Sequence, residues 1–224
     1  MSLTVYSDLD QRDAAWYEAR RGIVTASAVG LLVTPTLKVA NNDTSRAHLA
    51  SLAAERITGR VEDSPTSRDT LRGILDEPLA RDHYATHRSP VTECGLMVRE
   101  IGGARLGYSP DGLVGDDGLI EIKSRTPKKH LATILADRVP TENMAQIQAG
   151  LYVSGRSWCD YVSWCGGMPM WVVRVTPDSE WQAVIADALD AAEGVIYHHI
   201  AAYERAVSGL PVPPYIDHFA EIEF

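Results

Sequence analysis

The stretch from Tyr108 to Lys129, which reads YSPDGLVGDDGLIEIKSRTPKK, constrains the fold more than any other part of this sequence. Its segment GLIEIKS alternates in the manner of a strand, so Glu121 and Lys123 share one face and the neighbouring isoleucines share the other. The letters GDDG just before that segment are typical of a tight turn between antiparallel strands. The pattern therefore predicts a β-hairpin with one apolar face, and the chain has to build a sheet around it.

Segments with helical spacing of apolar residues lie on both sides of this hairpin. They predict a largely helical N-terminal part at about residues 1–88, a sheet core at about 89–176 and a C-terminal helix at about 178–207. One of the helices is expected to begin with Thr44 as its N-cap and to end at Gly59. With 224 residues and no repeat or long linker, we expect a single α/β domain with a central mixed β-sheet flanked by helices.

The composition limits the partners and the compartment. A formal net charge of -9 argues against binding nucleic acid by bulk electrostatics, although basic residues cluster in EARRG, SRDTLRG and KSRTPKKH. Cys94, Cys159 and Cys165 have no metal-site spacing and are expected to be buried thiols in a reducing compartment. The N-terminus lacks the features of a signal peptide, and no stretch approaches the roughly 20 apolar residues of a membrane span. We therefore expect a cytoplasmic protein that does not contact a membrane.

The polar face of the hairpin has two interpretations. If the turn closes the hairpin, Asp111 lies opposite or diagonal to Glu121, and two carboxylates this close repel each other unless a cation sits between them. A hard divalent ion with oxygen ligands is the natural cation, and Lys123 beside it would orient the attacking water. The alternative is an ordinary amphipathic strand whose glutamate and lysine are solvated.

Three further features favour the metal site. The order Pro110-Asp111, turn, Glu121-Ile122-Lys123 matches the PD-(D/E)XK nuclease signature. Upstream, Glu77 lies in a predicted helix, as a further carboxylate for the site or as a solvated helix residue. Downstream, the apolar helix NMAQIQAGLYVSG carries two glutamines, Gln146 and Gln148, and at most one of them can point into the cleft.

Four segments together resemble one family. AWYEARRGIVTASAVGLL, RGILDEPLARDHY, YSPDGLVGDDGLIEIKS and NMAQIQAGLYVSG, in that order, are similar to the lambda-exonuclease-like, YqaJ-type viral recombinase family of phage alkaline exonucleases. The resemblance covers roughly Trp16 to Val175 and implies the restriction-endonuclease-like fold of the PD-(D/E)XK superfamily. It implies a metal site in which magnesium is bound by carboxylates and by one backbone carbonyl, next to a catalytic lysine and glutamine. The residues that match these roles are Asp111, Glu121, Glu77, Ile122 (carbonyl), Lys123 and Gln146.

The same resemblance implies a pocket for the 5′-terminal phosphate of DNA, lined by Arg20, Ser27 and Ser109. Arginine offers forked donors to phosphate oxygens, and the serines add hydroxyl groups. Each residue also has a structural alternative, because the arginine has a neighbour of the same type and the serines suit a helix N-cap and a turn. Where a further arginine is expected after the EIK strand, Lys129 stands instead, which holds phosphate as a point charge only.

The function that the resemblance implies is a Mg²⁺-dependent 5′ to 3′ exodeoxyribonuclease with two metal ions, for which Mn²⁺ is a substitute. It would act on double-stranded DNA ends, release 5′-mononucleotides and leave a 3′ single-stranded tail for phage-type recombination and repair. A homotrimer and a single-strand annealing protein are the implied partners. Two other classes stay open: a structure-specific or restriction-type endonuclease on the same core, and a noncatalytic DNA-binding module. An iron–sulfur relative is disfavoured because the chain has three cysteines and such a cluster needs four.

Overall fold

A computed structural model of the chain describes residues 2–61 and 67–216. The strands in chain order are β1 (Leu3–Tyr6), β2 (Val24–Thr25), β3 (Leu96–Ile101), β4 (Ala104–Tyr108), β5 (Gly112–Val114), β6 (Gly118–Ser124), β7 (Trp158–Trp164) and β8 (Trp171–Val175). The α-helices are α1 (Ala14–Arg20), α2 (Val29–Leu32), α3 (Asp43–Thr58), α4 (Arg68–His87), α5 (Pro127–Ala136), α6 (Thr141–Ser154) and α7 (Ser179–Ala206). A short 3₁₀ turn, Ala26–Ala28, precedes α2.

The strands form two four-stranded sheets, where the sequence predicted one central sheet. One sheet has the order β1-β3-β4-β2 and the other β5-β6-β7-β8, and each mixes parallel and antiparallel pairs. The part expected to be helical, about 1–88, supplies β1 and β2 to the first sheet. Both strands are short, four and two residues, and carry little of the alternation by which strands are recognised. The predicted α/β class, with helices packed around mixed sheets, is confirmed.

The predicted hairpin forms between β5 and β6. Gly112 pairs with Ile120 in antiparallel register, and the turn passes through Gly115, which has φ of 53°. Strand β6 also pairs in parallel with β7, so both of its edges are hydrogen bonded. The two isoleucines of β6 pack with Ala80 and Tyr84 of α4, which covers this face of the sheet. The hairpin is therefore held from three sides, and the opposite face of β6 is free to carry the polar side chains.

Helix ends follow local capping chemistry with one correction. Helix α3 ends at Gly59, whose φ of 69° provides the expected left-handed stop. Its N-cap is Asn42 and not Thr44, because Asn42 and Ser45 exchange hydrogen bonds between side chain and backbone at 2.9 and 3.0 Å. Helix α4 runs as one helix through Pro78, although a proline inside a helix often ends or kinks it.

Helix α6 packs against both sheets and carries the glutamine pair toward the interior. It contacts β3 and β4 of one sheet, β7 of the other, and α2 and α7. Gly150 lets α6 lie close to β4, since a methyl group there would lie 2.7 Å from the ring of Tyr108. All three cysteines are buried and form no disulfide bond, as predicted. Across the described ranges, no helix combines the length and apolar character needed to cross a bilayer.

Candidate active site

The β5–β6 hairpin brings Asp111 and Glu121 together. The register that pairs Gly112 with Ile120 extends by one residue to place Asp111 opposite Glu121. The Oδ2 atom of Asp111 accepts a hydrogen bond of 2.5 Å from the backbone N–H of Ile122. That bond fixes the carboxylate over the strand, so the aspartate just before β5 and the glutamate on β6 belong to one site.

Glu121 is the centre of a hydrogen-bonded cluster. Its side chain is only 1% exposed, and its Oε1 atom accepts from Lys123 Nζ at 2.7 Å and from Gln146 Nε2 at 2.5 Å. Lys123 Nζ also donates to Gln146 Oε1 at 3.0 Å, and the hydroxyl of Tyr108 lies 3.3 Å from Glu121 Oε2. The glutamate and lysine of the EIK motif are thus not the solvated pair of an ordinary strand.

The cluster strongly disfavours a second negative charge. Burial raises the pKa of Asp111 well above its usual range, and the carboxylates of Glu121 and Glu77 raise it further. Burial alone would lower the pKa of Lys123, but Glu121 and Asp111 outweigh it and the pKa is raised. The lysine therefore remains an ammonium group at neutral pH, and the aspartate lacks a sufficient positive partner.

Glu77 lies on α4 close to this cluster, but its carboxylate binds two arginines. Arg81 donates to it at 2.5 Å, and Arg12 approaches its other oxygen at 3.0 Å. The Nε atom of Arg81 also donates to the backbone oxygen of Asp111 at 2.7 Å. Because the Glu77 side chain is only 15% exposed, it is not a solvated helix residue.

A cavity of about 140 Å³ beside the carboxylate cluster is lined by residues that were predicted to bind a terminal phosphate. Arg20, Ser27 and Ser109 line it, together with Gln146 from the carboxylate cluster. The guanidinium of Arg20 lies 3.7 Å from the ring centre of Trp16, whose Nε1 atom donates to Ser109 Oγ at 2.8 Å. Burial lowers the pKa of Arg20 to about 10, which still leaves it charged at neutral pH.

The alternatives left open by the sequence resolve differently for each residue. Arg21, the neighbour of Arg20, pairs with Glu18 at 2.5 Å and does not line this cavity. Ser27 caps no helix through its side chain. Gln148 is the structural glutamine, since it donates to the carbonyl of Thr176 at 2.9 Å and accepts from the backbone N–H of Asp178, the N-cap of α7.

Lys129 does not join the predicted phosphate pocket. It is exposed in the first turn of α5, while the next residue, His130, is fully buried and bonded to Ser163 at 2.8 Å. A helix turns by about 100° per residue, so the exposed Lys129 and the buried His130 point in different directions. The role of Lys129 in phosphate binding therefore stays a prediction.

The donor chemistry suits a divalent metal ion, although the conformation does not gather every ligand. Asp111, Glu121 and the carbonyl of Ile122 offer the oxygen ligands that Mg²⁺ takes. Burial is the main cause of the raised pKa of Asp111, the carboxylates of Glu121 and Glu77 add to it, and a bound cation would oppose both effects. Within residues 2–61 and 67–216, no three His, Cys, Asp or Glu side chains stand close enough to hold a metal. Glu77, the further carboxylate that the sequence predicted for this site, is held by two arginines.

The sequence did not single out two arginines that organise the site. Arg81 lies four residues after Glu77 on one helix face, and that spacing is a signal for the pair. Arg125 follows β6 and donates to Tyr161 of β7 at 2.9 Å and to Asn143 at the start of α6. It thereby ties the helix that carries Gln146 to the central strands, and only the folded chain reveals this link.

Comparison with known proteins agrees with this geometry. The family model named YqaJ-like viral recombinase domain matches residues 15–157 of this chain. The chain belongs to this family. An alkaline exonuclease from Laribacter hongkongensis, LHK-Exo, is 32% identical, with a TM-score of 0.78, over 89% of this chain and 100% of that one. The same enzyme in complex with dAMP gives a TM-score of 0.77, with the same identity and coverage.

A more distant structure shares the fold of this YqaJ-like chain. A phage related exonuclease from Haemophilus somnus 129PT is 14% identical, with a TM-score of 0.61, over 81% of this chain and 96% of that one. The comparison with curated proteins gave no match. The family and its solved relatives identify the YqaJ-like chain as a nuclease of the exonuclease type.

Proposed function

We propose that this protein is a Mg²⁺-dependent exonuclease that degrades double-stranded DNA from its 5′ ends, releases 5′-mononucleotides and leaves a 3′ single-stranded tail. The observation that carries this proposal is the position of Gln146, which bonds to Glu121 and Lys123 and also lines the cavity of Arg20. A terminal phosphate in that cavity would lie next to the carboxylate cluster. The bond that is cut would then be the first one from the 5′ end.

The polar residues of the cluster have distinct roles in this proposal. Asp111, Glu121 and the carbonyl of Ile122 hold the metal, with Glu77 as a further ligand once it is released from an arginine. A bound ion would lower the pKa of its water and neutralise charge on the phosphate. Lys123, held as an ammonium group by Glu121 and Gln146, orients the attacking water.

Arg20 supports the choice of a terminal phosphate as ligand. Among the described residues, no acceptor takes a hydrogen bond from its guanidinium, which rests on the Trp16 ring. Glu55 is near enough to raise the pKa of Arg20, but among the described residues no carboxylate forms an ion pair with it, so the cavity favours a ligand that brings negative charge. A terminal phosphate carries more charge than an internal phosphodiester, and two serine hydroxyls beside it supply further donors.

The test measures digestion of three DNA substrates in Mg²⁺. They are a linear duplex with a 5′ phosphate, the same duplex with a 5′ hydroxyl, and a covalently closed circle. We expect faster digestion of the phosphorylated end and no cutting of the circle. Arg20→Ala should lower the rate on phosphorylated ends by about tenfold to a hundredfold, the worth of one charge-assisted hydrogen bond, and should erase the preference. Arg21→Ala is the matched control, since that arginine lies outside the cavity.

Contrary results separate the candidates. Cutting of closed circular DNA would favour an endonuclease on the same core. Equal slowing of both linear substrates by Arg20→Ala would remove the support for 5′ polarity. Binding of DNA with no hydrolysis in Mg²⁺ or Mn²⁺ would favour a noncatalytic module.

The proposal extends to assembly and partners, for which the support is the family resemblance. We propose a homotrimer that encircles the duplex and works with a single-strand annealing protein in phage-type recombination. An acidic chain suits this arrangement, because basic residues can be confined to the DNA path while the outer surface repels DNA. Sedimentation equilibrium tests the trimer, and a mass of 24.5 kDa would refute it.

A further inference from the structure

Arg12 has a backbone conformation that an arginine rarely adopts. Its φ is 80°, in the left-handed region that favours glycine and, to a lesser degree, asparagine and aspartate. Both neighbours hold the backbone in place: Gln11 donates to the carbonyls of Cys94 and Pro110 at 3.2 and 3.0 Å, and Asp13 caps α1. Such strain persists where the surrounding structure imposes it, and it concentrates at functional sites.

The strained backbone directs Arg12 to a carboxylate that already has a cation. Arg81 is only 13% exposed and contacts Glu77 at 2.5 Å, Asp111 O at 2.7 Å and Glu93 at 2.6 Å. Arg12 is 41% exposed, and Glu77 at 3.0 Å is its one ion-pair partner among the described residues. An ion pair in which one partner is this exposed contributes little to stability. The strain at Arg12 is therefore not offset by a large stabilising contribution from its ion pair.

The surroundings of Arg12 suit a polyanion that continues from the Arg20 cavity. Arg12, Arg81 and Glu77 line a concave region of about 460 Å³. Gln11 lines this region and also the smaller cavity of Arg20, so the two adjoin. The carboxylate cluster of Asp111 and Glu121 borders both concave regions. Gln146 connects it to the smaller one, and the contact of Asp111 with Arg81 connects it to the larger one.

We propose that Arg12 binds a backbone phosphate of the cleaved strand on the 3′ side of the scissile bond, and that its ion pair with Glu77 is its resting position without DNA. This rests on the proposed nuclease function. A strand with its 5′ phosphate at Arg20 passes the carboxylates and then enters the larger concave region. There Arg12 exchanges Glu77 for a phosphate oxygen, while Arg81 remains on Glu77.

The proposal predicts opposite effects of Arg12→Gly on stability and on DNA binding. Glycine relieves the left-handed strain, so the thermal midpoint should stay equal or rise. Binding of a 5′-phosphorylated duplex, measured by fluorescence anisotropy in Ca²⁺, should weaken by about tenfold. The slope of log affinity against log salt should fall by about one, as expected for the loss of one phosphate contact. Arg12→Lys should keep that slope.

Two matched variants isolate the causes. Arg46→Ala removes an exposed arginine whose partner is Asp43, and it should leave the salt slope unchanged. Asp137→Gly relieves left-handed strain at φ of 48° at a residue that lines neither concave region, and it should leave DNA binding unchanged. If the glycine variant does not fold, the salt dependence of DNA affinity is measured on Arg12→Gln, which keeps a long polar side chain and removes the charge.

The outcomes distinguish this inference from the function on which it rests. An unchanged salt slope in a folded Arg12→Gly or Arg12→Gln variant, with wild type binding DNA, overturns the role of Arg12 alone. A lower thermal midpoint together with an unchanged slope makes Arg12 a structural clamp on Glu77. A wild-type protein that does not bind duplex ends refutes both proposals.

Discussion

Replacing Lys123 with methionine removes the one cation that contacts Glu121 among the described residues, while the length of the side chain is kept. The carboxylate, 1% exposed, would keep the Gln146 amide at 2.5 Å and the Tyr108 hydroxyl at 3.3 Å. Removing one partner of a buried ion pair costs about 3–5 kcal/mol. Because Lys123 is 25% exposed, water can partly replace it, and we expect a loss of about 2–3 kcal/mol in unfolding free energy.

The double variant Lys123→Met, Glu121→Gln tests this reasoning. It removes the stranded charge, so its stability should return to within about 1 kcal/mol of wild type, with a coupling energy of about 2 kcal/mol. Urea denaturation in EDTA measures the three proteins, and a nuclease assay in Mg²⁺ should find both variants inactive. A single variant as stable as wild type, or a double variant as unstable as the single, would refute the claim that the lysine balances a buried carboxylate.

Three further predictions concern stability. Asp111 keeps a proton in the fold at pH values where the unfolded chain has lost it, so the metal-free protein should lose stability as pH rises above about 4. Thermal midpoints measured in EDTA at several pH values should fall less with rising pH in Asp111→Asn than in wild type. Gly150→Ala places a methyl 2.7 Å from the Tyr108 ring and should cost about 1–3 kcal/mol in urea, whereas Gly194→Ala, with no atom within 4 Å, should gain about 0.5–1 kcal/mol. Tyr84→Phe removes a 2.7 Å hydrogen bond to a buried aspartate and should lose about 1–2 kcal/mol; an unchanged midpoint would contradict that bond.

Local chemistry made the hairpin predictable. Alternation and turn residues fix the register, and the register alone places Asp111 opposite Glu121. The same holds for Gly59, a left-handed helix stop. The N-cap at Asn42 was missed because Thr44 is also a good capping residue, and the choice depends on which partner lies three positions ahead.

Features that depend on distant contacts could not be predicted. By spacing alone Gln146 and Gln148 are equivalent until the rotation of α6 is known, and only the family resemblance singled out Gln146. The pairing of Arg12 with Glu77 joins residues 65 positions apart without any local signal. Lys129 was assigned by its match to the family, and no local signal shows whether an exposed lysine next to a buried histidine reaches the phosphate.

The position of β6 between β5 and β7 has a consequence for synthesis on the ribosome. The strand that carries Glu121 and Lys123 is paired on one side by β5, which precedes it, and on the other by β7, which begins at Trp158. A nascent chain that stops before Trp158 leaves one edge of an apolar strand unpaired, and such edges promote aggregation. Translation must therefore pass β7 before the cluster is enclosed, so truncated products should be insoluble and free of nuclease activity.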